Sequence, residues 1–494
     1  MDKAYSWTMF FRMVDPQGYL GLKFSKPRTP YRPKDDFDLF YTSVSASTDS
    51  SMVALEMEIF SNSQLILLTL LMFLGGEVFT SMLDLLFARY KLTQINIQNK
   101  LVSINPSSPS NESPIHVNQI ELGLVSIPHS ESQDHTSCDN VDKLKYKSLS
   151  YLSYVVLGYL LMVQFVGFSS VCLYMTLVAS ARDVLKNKGI KIVTFSLFTI
   201  VSTFASCGFI PTNENMIVFQ KNSGLLLLIL PHVFLGNTLY PPCLRLVLMV
   251  LKKVTRKEEF SYLLKNSKNI GFEHLLSVVR CCFLVGTVLG LNVIQFVMFC
   301  SMEWKSNIME GLNVYEKVVA SLFQVTNARH SGESVFDLSS ISSAILVLFI
   351  VMIHFTDSHL CGCGFWYLSP YTTYLPVREE EKEVKRNKRS TVECVLFSQL
   401  SYLAIFIILI CITENKSLKE DPLNFNVAYG NVGFSTGYSC GRQLRIDGTC
   451  KDSWVGFSGR WSNKGKFILI LVMFFGRLKK FNMKGGKAWE LTWL

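Results

Sequence analysis

The chain has 494 residues, of which 49% are hydrophobic and 17% charged, with a mean hydropathy of +0.28 and a net charge of +10. That balance excludes an ordinary soluble globular protein, in which about a quarter of residues are charged, and it points to a membrane as the solvent. The 13 cysteines, most of them in apolar windows, exclude a disulfide framework; the basic residues do not lie on an aromatic-interleaved surface, so nucleic acid is not an expected partner.

In chain order, the N-terminus offers a poor first span, since SWTMFF is interrupted by Arg12 and Asp15, and no small-residue cleavage site of a signal peptide follows. A helix crosses the hydrocarbon core with about 20 apolar residues. Ile59 to Gly76, Ser148 to Ala181, Asn222 to Leu244, Cys281 to Met302, Leu338 to Thr356 and Cys394 to Thr413 fit that requirement. Residues 96–137, rich in Ser, Asn and Gln, predict a disordered cytoplasmic linker. Lys252, Lys253, Arg256 and Lys257, then Arg378, Lys382, Lys385 and Arg386, and finally Lys479 and Lys480 cluster between or after spans, which places them in the cytoplasm. Lys23, Lys26, Arg28, Arg32 and Lys34 fall on the opposite face, diluted by Asp35, Asp36 and Asp38.

Four polar segments interrupt this pattern: SVSASTDSSM, STFASCGFIP, LFQVTNARHSGE and NVAYGNVGFSTG. Each lies between two stretches able to span, so the chain reads as four copies of span, re-entrant loop, span. The boundaries are 1–94 for the first repeat, 95–147 for the linker, 148–270 and 271–392 for the second and third repeats, and 393–494 for the fourth with its cytoplasmic tail. Backbone that leaves a helix inside a membrane is tolerated where it lines a wet cavity. Four such loops around one axis make a pore, whose carbonyls replace the hydration shell of a cation. Aligned by rhythm, Ser51, Gly208, Gly332 and Gly433 form the expected ring, glycine serving because it adopts the backbone angles and close approach that a Cβ resists. Thr48, Asp49, Ser50, Asn213 and Glu214 flank it.

Arg477 follows only ten uncharged residues and therefore lies within the last span. An arginine at that depth either faces a water-filled cavity or snorkels to the membrane edge.

The segments FDLFYTSVSAST with SSM at 37–52, EMEIFSNSQLILLTLLMFLGGE at 56–77, STFASCGFIPTNENMIVF at 202–219, YEKVVASLFQVTNARHSGE at 315–333, and AYGNVGFSTGYSC through GRWSNKGKFILILVMFFGR at 428–477 carry a resemblance over nearly the whole chain. It resembles the plant high-affinity potassium transporters (HKT), relatives of the bacterial Trk and Ktr cation transporters. The resemblance implies one pseudo-fourfold pore, extracellular re-entrant loops, a cytoplasmic N-terminus and passive cation permeation. It further implies that Ser51 marks the sodium-selective subfamily, found in plasma membranes of vascular tissue where it limits sodium delivery to shoots, and that Arg477 faces the pore as an electrostatic barrier.

Departures from the family pattern are Asp49, where members carry an apolar residue, the insert HFTDSHLCGCGFW at 354–366, and a short fourth repeat. From Thr413 to Gly433 there are 20 residues, against 27 from Ala181 to Gly208 and 30 from Met302 to Gly332. This predicts a shortened fourth pore helix within 421–428. If extended, the loop points Asp49 the same way as Ser51; if turned, it points Asp49 into the protein, as a buried acid.

Other motifs are weaker. His354, His359, Cys361 and Cys363 do not match a known zinc spacing, so no structural metal is expected. Gly433 to Gly437 spells G-x-S-x-G, but no strand precedes it, and an enzyme is not expected. Cys440 and Cys450 are a candidate disulfide if their loop faces an oxidising exterior. Asn111 lies in the linker and should carry no glycan.

The expectation is an all-α membrane protein of four pseudo-repeats around a central pore, passing sodium, with potassium the alternative ion. Its partners are sodium ions and the lipid bilayer, with a homo-oligomer left open, and it needs no cofactor. The rival is a non-conducting or damaged paralogue that acts only as an assembly or scaffold protein.

Overall fold

The computed structural model describes residues 16–28, 36–104, 135–270, 272, 274–355, 399–413, 433–435, 437 and 454–482. The expected short helix at 421–428, the candidate disulfide of Cys440 and Cys450, Asn111, and all of the 354–366 insert except the helical ends His354 and Phe355 lie outside these residues, as does most of the linker.

The described residues are helical, and the same four-part rhythm recurs along the chain. A pore-side helix (Asp36–Ser47, Ile192–Ala205 or Val314–Asn327) leads to an irregular loop, and the loop to a single 3-10 turn. The four turns are Met57–Ile59, Ile217–Phe219, Leu338–Ser340 and Phe457–Arg460. Three or four residues after the end of each turn a new helix begins: Asn62–Gly75, Ser223–Leu235, Ser343–Phe355 and Asn463–Asn482. Helices Val278–Glu303 and Gln399–Thr413 enter the third and fourth repeats, and His135–Leu177 the second.

Local chemistry explains why these stretches are helices. Helix Asn62–Gly75 opens with a capping box, in which Gln64 Oε1 accepts from the Ser61 N–H at 3.0 Å while Ser61 Oγ accepts from the Gln64 N–H. Helix Ile192–Ala205 is rich in β-branched residues, poor formers in water, yet it is buried from Thr194 to Ala205 at nearly every position, so packing overrides propensity.

Among the described residues two helices, Leu144–Leu177 and Val278–Glu303, are long and apolar enough to cross a membrane unbroken. Three bent pairs pass the same test. The uninterrupted span expected over Asn222 to Leu244 is one of them: Ser223–Leu235 and Tyr240–Thr255 meet at 83°. Gly236 lies at the break, where a Cβ would overlap the Phe204 carbonyl oxygen, so the chain turns away from the end of the neighbouring pore helix. The expected linker is also entered by helix from both sides, through Glu77–Ile104 and His135–Leu177. Extending an existing helix costs far less than nucleating one, so polar sequence next to a span propagates it.

The chain divides into two compact units. The first, residues 1–80, 160–243 and 278–494, holds all four loops and the main apolar core. Within it Phe299, Phe336 and Phe349 stack, and Phe434 packs 5.7 Å from Phe349 between ring centroids. The second, residues 81–159 and 244–277, is tied by Arg245 donating to the Leu276 carbonyl at 2.5 Å and by Lys257 lying 4.5 Å above the Tyr151 ring.

Candidate functional site

The first two pore-side helices end in one motif. In the first repeat, Asp49 is left-handed (φ 51°), its N–H bonds the Ala46 carbonyl at 3.3 Å, and the Ser50 N–H reaches back to Ser45 O at 2.9 Å. In the second, Ser206 is left-handed (φ 61°), with the Ser206 N–H on Thr203 O and the Cys207 N–H on Ser202 O. This is a Schellman termination, which satisfies the last carbonyls of a helix that stops inside the protein. It settles the orientation of Asp49: the chain turns, and the carboxylate points into the protein, 1% exposed.

Beyond these turns lie the four positions expected to form a ring, and all have left-handed backbone: Ser51 φ 52°, Gly208 φ 83°, Gly332 φ 74° and Gly433 φ 86°. They are brought together. A Cβ at Gly433 would overlap that of Ser51 and come 3.2 Å from the Cys207 carbonyl oxygen. A Cβ at Gly208 would overlap the Ser331 carbonyl oxygen and lie 3.4 Å from the carbonyl carbon of Gly332. Ser51 alone carries a side chain in this backbone conformation, which costs an L-residue about 1–2 kcal/mol.

The loops are held by contacts between successive repeats. The Glu58 N–H bonds Asn213 Oδ1 at 3.0 Å, and the Asn213 N–H returns to Glu58 Oε1 at 3.1 Å. The Met216 N–H donates to Ser334 O at 3.1 Å. Phe434 packs on Phe349, and the Gly456 N–H closes the circle on Val53 O at 2.8 Å. Glu214, expected beside the ring, instead joins an outer cluster: Lys188 Nζ lies 2.5 Å from both Glu214 Oε2 and Glu58 Oε1. Thr48 Oγ1 and Ser50 Oγ are 2.9 Å apart and brace the first loop.

Arg477 is 2% exposed, 3.1 Å from Asp49 Oδ2, and donates to the Gly75 carbonyl. That carbonyl is freed because the helix breaks after Gly75 and bends by 55°. Sequence reasoning missed Gly75 and Gly236, which take the ends of two pore-side helices: a Cβ at Gly75 would overlap Ser47 O, as one at Gly236 would overlap Phe204 O. The signal was present, since LGGE, LGNT and FGRL place Gly75, Gly236 and Gly476 thirteen residues after Asn62, Ser223 and Asn463. It also missed Glu333, buried beside Gly332 and accepting from Thr203 of the second repeat. Among the described residues no group of three or more His, Cys, Asp and Glu is arranged to hold a metal.

The helices and the converging loops define a helical membrane transporter. A family model described as TrkH, cation transport protein, matches residues 130–483. The chain is 47% identical to the cation transporter HKT1;3 of Oryza sativa subsp. japonica, over 98% of this chain and 90% of that one. It is 48% identical to the sodium transporter HKT1 of Arabidopsis thaliana, over 95% and 91%. The crystal structure of the potassium transporter TrkH from Vibrio parahaemolyticus shares the fold, with a TM-score of 0.51 at 14% identity, covering 97% of this chain and 82% of that one. The chain belongs to the TrkH cation transport family, among the HKT transporters, and it is a transporter of cations across a membrane, not an enzyme.

Proposed function

We propose that the chain conducts sodium passively, in the manner of a channel, through the ring of Ser51, Gly208, Gly332 and Gly433 in the plasma membrane, and so serves sodium homeostasis and salt tolerance. The observation that carries this is the convergence of four left-handed residues, three glycines and one serine, on one ring. Backbone carbonyls there replace water around a bare cation. The Ser51 hydroxymethyl breaks the equivalence of the four and narrows the ring, which works against the larger potassium ion. The name of the Arabidopsis relative, a sodium transporter, supports the same ion.

The test is expression in a cell with low background cation conductance and measurement of reversal potentials in sodium and potassium. The expected result is a sodium current whose reversal potential follows the sodium gradient. A protein that reaches the surface and passes no current would leave the scaffold role in its place.

A further inference from the structure

In the first three repeats the residue two before the ring position is gripped by a side chain that lies one or two residues after a glycine at a helix break or within a helix, Gly236 or Gly476. Ser206 Oγ accepts from Asn237 Nδ2 at 3.1 Å, and His330 Nε2 meets Thr238 Oγ1 at 2.9 Å. In the first repeat the corresponding residue is Asp49, and its partner is Arg477, which follows Gly476 as Asn237 follows Gly236. The same tier is therefore built three times among the described residues, twice with neutral or imidazole groups and once with a full ion pair.

The charged member stands beside the ring. Cys207, next to Gly208 of the ring, is within electrostatic reach of both Asp49 and Arg477. Both charges are nearly fully buried, where water screens them little. An isolated arginine here would repel every entering cation, whereas a paired one presents a dipole. Arg477 is fixed in this pose from two sides, by the Asp49 carboxylate and the Gly75 carbonyl.

We propose that Asp49 is a positioning residue that holds Arg477 and cancels its charge beside the ring, so that sodium conductance is set by the pair and not by the arginine alone. This rests on the conduction reading above.

The experiment is a double-substitution cycle in the full-length chain, with sodium currents normalised to surface-labelled protein. Asp49→Asn leaves an uncompensated positive charge and lowers the current on the order of tenfold. Arg477→Gln leaves a negative charge and raises sodium current, and the double substitution returns to within about threefold of the parent because both charges are gone. Asp49→Glu, which keeps the charge, retains most of the current. An unchanged current in Asp49→Asn, with the double substitution matching Arg477→Gln alone, would overturn the proposal. Should Asp49→Asn be retained inside the cell, the double substitution reaches the surface if the unpaired charge is the cause, and its retention also overturns it. If the parent chain itself is silent at the surface, the conduction reading fails separately. The pairing is then decided by melting of the purified full chain: both single substitutions melt below the parent and the double substitution melts above either, whereas losses that simply add contradict the pair.

Discussion

Lys466 Nζ lies 2.5 Å from Asp38 Oδ1, with both side chains less than a tenth exposed. Eleven residues further along the same two segments, Arg477 meets Asp49. Eleven residues is about three helical turns, so one face of the last helix runs alongside the first pore-side helix and meets it with a charge at either end.

Breaking the outer pair by Asp38→Asn or Lys466→Met alone is expected to cost about 3–5 kcal/mol, because the remaining charge is buried without its partner. Replacing both by Asp38→Leu with Lys466→Met removes that penalty and should be close to neutral. Thermal melting of the detergent-solubilised protein checks both. A double variant as unstable as the worse single one would mean that the pair does more than compensate its own burial.

Ser51→Gly is expected to admit potassium, since it removes the only side chain in the ring and restores four equivalent backbones. It also relieves a left-handed serine, a gain of about 1 kcal/mol in the loop. Reversal potentials decide it. If Ser51→Gly leaves the ratio of sodium to potassium permeability unchanged while Asp49→Val shifts it strongly, the residue assigned to the ring is the wrong one.

Gly433→Ala is expected to abolish current, because its Cβ would overlap the Ser51 Cβ. The left-handed backbone adds about 1–2 kcal/mol of its own. Combined with Ser51→Gly, part of the current should return, since the collision is gone and only the backbone cost and the tight contact with the Cys207 carbonyl oxygen remain. Full activity of Gly433→Ala alone would show that the two residues do not meet.

Lys188→Met is expected to leave Glu58 and Glu214 facing each other without the ammonium that now bridges them. The exposed excess of negative charge should raise the local sodium concentration and lower the external sodium needed for half-maximal current, an effect that fades as ionic strength rises. Stability should change little, about 1 kcal/mol or less, because these groups are partly solvated. A half-maximal concentration that does not move at low ionic strength would place the cluster away from the path of the ion.

Much of this molecule was legible without coordinates. The loops at Ser51, Gly208, Gly332 and Gly433 stand out because three glycines and a serine recur at one point in a repeated rhythm, and left-handed backbone is a local demand that a residue's own chemistry reveals. Asp49 was half legible: its presence in the loop was plain, but whether it pointed with Ser51 or away depended on the Schellman turn at Ala46 and Ser45. The break after Leu235 does not show in hydropathy, which does not register a bend, and only the recurring glycine at Gly236 marks it.

The sequence by itself determined the medium and marked the candidate ring positions, because a bilayer imposes length and apolarity on each contiguous segment and a positive φ selects glycine residue by residue. Only the tertiary structure decided what the buried charges do. Asp38 and Lys466 are separated by 428 positions, and nothing local in either segment says that the other exists. The same holds for Asp49 and Arg477, each of which alone is a costly buried charge. Whether such a charge repels an ion or is cancelled depends on distances of a few ångströms, and those are fixed only when the fourth repeat closes against the first.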